Sequence, residues 1–287
     1  MEIEVFYMSG AGNLFTFIDN RIYQLEKGFF LSNVPKLCGA EGNEKKTDGV
    51  VSVNSSNNAD FQVDFFNPDG SYGAMCGNGA RCAIRFAERF FNLKDKSNIY
   101  FSQLDDFYFG EILEKTIKVF FPPPKIVIKE VVIEVFGKKF NCGFVDVGSK
   151  HIVINFEEIK NYFYLEEFCI FDINKIAIPV RNMQLFMPEG VNVNVYRKIT
   201  EGQLELRTFE KGVEGETAAC GTGTISTALI SNLKERTAFP TVIIPKSKSA
   251  IYVDLIKKDD NTINKISLEG EAEFLETKLF LIDYERE

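Results

Sequence analysis

The element Cys-Gly-x-Gly occurs twice in these 287 residues, as Cys76-Gly77-Asn78-Gly79 and as Cys220-Gly221-Thr222-Gly223. Each copy runs straight into a stretch with apolar residues at three- and four-residue spacing, Ala80–Ala87 after the first and Thr224–Ile230 after the second. Such spacing predicts a helix that starts at each cysteine. The first turn of a helix has N–H groups without intrahelical acceptors and the positive end of the helix dipole, which together lower a thiol's pKa and attract anions. A chain that builds this device twice is constrained to two related halves. Two such thiols and two anion cradles point to an acid/base pair working on one small acidic substrate.

The length agrees with two halves, since single domains usually stop at roughly 100–200 residues. Pro122-Pro123-Pro124 is the clearest break, because successive prolines extend neither a helix nor a central strand. The expected domains are therefore 1–121 and 122–274, with 275–287 returning to complete the first sheet. Outside the two helices, β-rich segments such as Phe61–Phe66 and Lys125–Val135 dominate, so the expected class is mixed α/β.

Composition removes several function classes. A net charge of −8 with no basic stripe argues against nucleic acid. No apolar run reaches the roughly 20 residues needed to span a bilayer. The start Met1-Glu2-Ile3-Glu4-Val5 resembles no secretory leader, so a reduced, cytoplasmic setting is expected despite six cysteines. With no Cys-x-x-Cys pair and one histidine, no metal site is expected. Cys38, Cys82, Cys142 and Cys169 read as small buried hydrophobes.

Two activated thiols need bases. His151, the single histidine, stands in Gly148-Ser149-Lys150-His151 at the start of an apolar run, where a purely structural role is the alternative. Glu210, ten residues before Cys220, is the candidate carboxylate, against the alternative of a solvated strand end. Gly10-Ala11-Gly12-Asn13, Asn67-Pro68-Asp69-Gly70-Ser71 and Asn192-Val193-Asn194 each read as turn or strand-end chemistry when taken singly. Their joint occurrence is what carries weight.

Taken together these motifs resemble the diaminopimelate epimerases, which invert an amino-acid α-carbon with two cysteines and no pyridoxal phosphate. The likeness runs from Gly12-Asn13-Leu14-Phe15 through Thr47-Asp48-Gly49, the two cysteine elements and Val147–His151 to Gly215–Gly223. It implies two similar domains, each a sheet wrapped around one central helix, with the active site in the cleft between them. It implies Cys76 paired with His151 and Cys220 paired with Glu210. Asn13, Asn67 and Asn192 would hold the substrate, and backbone N–H groups of Gly77, Asn78, Gly221 and Thr222 would grip its α-carboxylate. A small amino-acid substrate, no cofactor and a homodimer are implied by the same resemblance.

Three departures from the usual family pattern bear on the substrate. Ser149 stands where Asn is common, Lys211 replaces an Arg, and the approach to Cys220 through Val213-Glu214 is one residue longer. In the family the Asn and Arg help bind the distal end of diaminopimelate, and a lysine cannot reproduce a guanidinium fork. The alternatives are thus an epimerase of the same fold for another amino acid or a diaminopimelate analogue, a redox-sensing dithiol protein, or a binding module.

Overall fold

The computed structural model describes residues 1–39, 45–73, 77–91, 93, 96–104, 106–121, 127–165, 167–259 and 263–282. The fold is mixed α/β, and the chain divides into two compact units, Met1–Pro122 with Glu269–Glu287, and Pro123–Leu268. In this division the returning segment starts at Glu269, ahead of the expected 275. Glu269 accepts a 2.8 Å hydrogen bond from the Thr116 hydroxyl of the first unit. Strand Glu273–Leu281 then pairs antiparallel with Glu2–Gly10. The triple proline expected to mark the boundary lies outside the described residues.

In the first unit, strand Glu2–Gly10 turns at Ala11-Gly12 into the antiparallel strand Asn13–Asp19, and both turn residues have left-handed φ, 51° and 90°. A two-residue turn with two positive φ values matches the twist of the strands it joins. Strand Val50–Asn54 lies parallel to Asn13–Asp19, and Phe61–Phe66 is antiparallel to Val50–Asn54. Alternation sorts these strands into two faces. Phe6, Met8, Phe15, Phe17, Val51 and Val53 pack on the helix Gly77–Phe90. Ile3, Val5, Tyr7, Ile18 and Val50 pack on the opposite side with Phe29, Phe30 and Val34 of the helix Lys27–Leu37. The long helix is buried at every position from Gly77 to Ile84, as a helix surrounded by its sheet must be. Phe86, fully buried, stacks on Phe17 and meets Phe6 edge-on.

The second unit repeats the plan. Val127–Val135 forms a hairpin with Lys138–Asp146, which pairs with Lys150–Asn155. That strand runs parallel to Asn192–Thr200, which is antiparallel to Gln203–Glu210. Helix Gly221–Glu235 packs against these strands and against Thr241–Ile244 and Ile251–Lys257, buried from Thr224 to Ser231. Helix Asn174–Arg181 covers the outer face, where Ile176, Ala177 and Val180 join Ile152, Ile154, Val193 and Val195.

Of the four cysteines read as buried hydrophobes, Cys38, Cys82 and Cys142 are buried, and burial pushes the Cys38 thiol up to about 11 and that of Cys142 up to about 12. Cys169 departs from the expectation and is exposed. It sits in the turn between Phe168 and Phe171, whose rings take the buried places and leave the intervening side chain outside.

Candidate active site

The second helix start is described completely. Cys220, in extended conformation, is the N-cap of helix Gly221–Glu235, and its sulfur accepts the Gly223 N–H at 3.4 Å. The Thr222 hydroxyl lies 3.5 Å from the same sulfur. The N–H groups of Gly221 and Thr222 precede the first intrahelical acceptor and face out along the axis. Cys220 itself is 7% exposed, so the sulfur meets its donors in a medium where they act strongly.

His151 belongs to the same cluster. Its Nε2 is 3.0 Å from Thr222 Oγ1 and its Nδ1 is 2.9 Å from Asn194 Nδ2. The ring is fully buried. Burial, aided by the nearby Lys211 charge, pushes the imidazole down to about 3, so it is neutral at physiological pH.

Asn192 draws together the residues at which the chain departs from its resemblance. Its amide donates to Ser149 Oγ at 2.8 Å and to the Lys150 carbonyl at 3.1 Å, while its Oδ1 accepts the Lys211 N–H at 2.8 Å. The structure therefore brings Ser149, Asn192 and Lys211 into one group, with Asn192 acting as a clamp between two loops. The Lys211 side chain is exposed. Nearby, the extra residue is accommodated by left-handed φ at Gly212 (90°) and Glu214 (53°). The Glu214 carboxylate accepts from the Gly212 N–H and from Arg181 Nη2. Glu210 ends strand Gln203–Glu210, half-buried, and accepts a hydrogen bond from the Thr217 hydroxyl.

At the first helix start, Ala74, Met75 and Cys76 lie outside the described residues, so the expected role of Cys76 has no geometry here. The helix beyond Cys76 is well defined. Arg81 donates Nη2 to Asn78 Oδ1 at 2.7 Å, and Asn78 Nδ2 donates to Asn13 Oδ1 at 2.5 Å. Asn13 Nδ2 donates to Asp48 Oδ2 at 3.1 Å. Two amides thus link a fully buried guanidinium to a carboxylate, and Asn13 and Asn78 are brought together. The hairpin approaches so closely that a Cβ on Gly10 would fall 2.7 Å from the Asn78 carbonyl, which is why glycine precedes the turn. Asn67 is placed apart from this chain of contacts. Its Nδ2 donates to Ser71 Oγ within the turn Asn67–Ser71, closed by Gly70 N–H to Asn67 O at 2.9 Å.

The family described as diaminopimelate epimerase matches residues 5–101. A diaminopimelate epimerase of Hydrogenobaculum sp. (strain Y04AAS1) is 35% identical, with 96% of this chain and 97% of that protein aligned. The chain belongs to the diaminopimelate epimerase family. Family membership makes it an amino-acid epimerase, an isomerase. Among solved structures, a phenazine biosynthesis protein of the PhzF family from Bacillus anthracis is similar at TM-score 0.73 and 14% identity, covering 98% of this chain and 100% of that one. A probable proline racemase from Agrobacterium radiobacter K84 is similar at TM-score 0.69 and 13% identity, covering 98% and 93%. At such identities these two likenesses speak for the fold that this diaminopimelate epimerase relative shares with them. Among the described residues no helix is long and apolar enough to cross a membrane, and no group of three or more His, Cys, Asp or Glu has metal-binding geometry.

The sequence motifs include Asn194 and Asp48 but assign them no contact, and they give no role to Arg81 or Arg181. Asn194 had a signal, because residues two apart on a strand share a face. An Asn192-Val193-Asn194 run places two amides side by side on the strand next to His151.

Proposed function

We propose that the protein interconverts LL- and meso-2,6-diaminopimelate without a cofactor, supplying lysine and peptidoglycan precursors, with Cys76 and Cys220 as the two proton carriers. One sulfur, as thiolate, takes the α-hydrogen as a proton, and the electron pair left on carbon spreads into the α-carboxylate. The other, as thiol, returns a proton to the opposite face, so atoms and charge balance and only configuration changes. An α-hydrogen is a very weak acid, and the barrier falls only if the developing negative charge is met by fixed donors. The N–H groups of Gly221 and Thr222, with those of Gly77 and Asn78, are the proposed donors.

The observation that carries this reading is Cys220 itself. A sulfur that caps a helix, accepts the Gly223 N–H and has a hydroxyl beside it is placed for thiolate chemistry. Glu210 and His151 are the groups we assign to set the protonation of the sulfurs, Glu210 for Cys220 and His151 for Cys76. Asn13, Asn67, Ser149, Asn192 and Lys211 are assigned to the substrate. A cytoplasmic homodimer is the setting proposed for this activity.

A second substrate reading has its own support. The exposed Lys211 and its neighbour Ser149 offer a point charge and a hydroxyl where a planar fork is usual, which suits a diaminopimelate analogue as well. Purified protein given LL-diaminopimelate, its thioether analogue, proline and simple amino acids, with no cofactor added, decides between them. Preferred inversion of diaminopimelate is expected, and a higher kcat/KM on any other member of the panel overturns the substrate assignment.

A further inference from the structure

Asn194 is fully buried, and each of its side-chain polar atoms has a defined partner. Nδ2 donates to the Ile152 carbonyl at 3.1 Å, and the Thr208 hydroxyl, directly across the strand pair, donates to Oδ1 at 3.0 Å. A carbonyl can only accept, so the atom facing Ile152 must be the NH2 group. The same NH2 then faces His151 Nδ1 at 2.9 Å and presents a hydrogen to it. Nδ1 is therefore the bare nitrogen, and the single proton of the neutral ring is on Nε2. That N–H donates to Thr222 Oγ1 at 3.0 Å, which leaves the threonine's own hydrogen to point elsewhere. Among the described residues, Cys220 Sγ lies in reach at 3.5 Å. With the amide turned this way the contact gives the imidazolium no support.

From this chain of donors we propose that Asn194 is a positioning residue which fixes His151 as the Nε2–H tautomer and so turns the Thr222 hydroxyl toward the Cys220 sulfur, favouring its thiolate. Space has been kept for the amide. A Cβ on Gly223 would lie 2.4 Å from Asn194 Oδ1 and 3.3 Å from Cys220 Sγ, so the fourth residue of the Cys-Gly-x-Gly element must be glycine for the amide to pass beneath the helix. The consequence for His151 is specific. In this state it gives a hydrogen bond through Nε2, so the base role proposed for it toward Cys76 requires that bond to Thr222 to be released first. The inference deepens the reading of Cys220 as an acid/base group and rests on it for its meaning, but its tests need no substrate.

Because His151 is the only histidine, uniform 15N-histidine labelling of the whole protein gives one imidazole to observe. At pH 7 the expected spectrum has a pyrrole-type, proton-coupled Nε2 and a pyridine-type Nδ1. A protonated Nδ1 overturns the proposal whatever the enzyme does with diaminopimelate. In Asn194→Asp a carboxylate can only accept, so the proton should move to Nδ1 and Thr222 should turn its hydrogen to Nε2. The midpoint of the pH–rate profile for iodoacetamide labelling of Cys220, read peptide by peptide, should then rise by about one to two pH units, the size of a lost hydrogen bond to a charged acceptor. Thr222→Val should raise the same midpoint while leaving the wild-type tautomer in place. An unchanged midpoint in Thr222→Val overturns the relay even if Asn194→Asp fails to fold. Failure of epimerase activity with both signatures present would instead count against the functional reading alone.

Discussion

The helices Gly77–Phe90 and Gly221–Glu235 begin with the same backbone device but use the middle residue of Gly-x-Gly differently. In the first, Asn78 turns inward and is caught between Arg81 and Asn13, in a chain that ends on the Asp48 carboxylate. In the second, Thr222 joins His151 to Cys220, and the chain ends on a buried amide. The first arrangement places a buried guanidinium near the start of the helix, in a chain of two amides that ends on a carboxylate. The second runs from the sulfur through a hydroxyl and an imidazole to an amide. A rigid charged brace suits residues that hold a substrate, whereas a neutral donor chain ending on sulfur suits control of a thiol's protonation. One duplicated scaffold has been given two polar underlays.

The largest expected effect treats the two helix starts alike. Cys76→Ala and Cys220→Ala should each reduce inversion to background, since a two-base reaction has no substitute on the missing face, and chiral product analysis checks it. Full inversion by either variant would break the pairing of the two starts. Next come the two glycines that admit the underlays. Gly10→Ala drives a Cβ against the Asn78 carbonyl and Gly223→Ala drives one against the Asn194 amide. Each should lose about 1–3 kcal/mol in urea unfolding. Gly223→Ala should also slow turnover more, because the displaced amide is the one that holds His151.

The third effect belongs to the second underlay. His151 is a base whose folded pKa, about 3, lies below the 6.5 of the free side chain, so the unfolded chain takes up its proton first. Stability from this group is full above about pH 6.5 and falls by up to ~1.4 kcal/mol per pH unit as pH drops toward 3. Unfolding midpoints at pH 7 and pH 5 should show that slope in the wild type and lose it in His151→Gln. The smallest effect concerns the exposed Lys211. Lys211→Ala should raise KM for diaminopimelate by about fivefold, on the order of 1 kcal/mol, with kcat nearly unchanged. No change in KM would remove Lys211 from substrate recognition.

The two helix starts were legible because glycine, a small-residue turn and helical periodicity are all local signals. Strand Phe61–Phe66 was legible for the same reason. The exposure of Cys169 was not, because it depends on Phe168 and Phe171 reaching the core across a turn rather than on the cysteine's own chemistry. At the site, residue types were legible and their partners were not. His151 was legible as a base because two activated thiols need one and imidazole titrates near pH 7, but its contacts with Thr222 and Asn194 arise from strand register and from the depth of Gly223 beneath the helix. Asn192 was expected on the substrate, and its clamp between Ser149 and Lys211 depends on loop positions that no short motif encodes.

The central claim is that a proton leaves and returns at one α-carbon through two sulfurs, and its most direct measurement is proton NMR of LL-diaminopimelate incubated with the purified protein in D2O without cofactor. The account predicts that deuterium enters the α-position of the meso product as it forms, while LL-substrate recovered early retains its hydrogen. Meso product formed with its α-hydrogen retained, or no exchange and no inversion at any enzyme concentration, would contradict it.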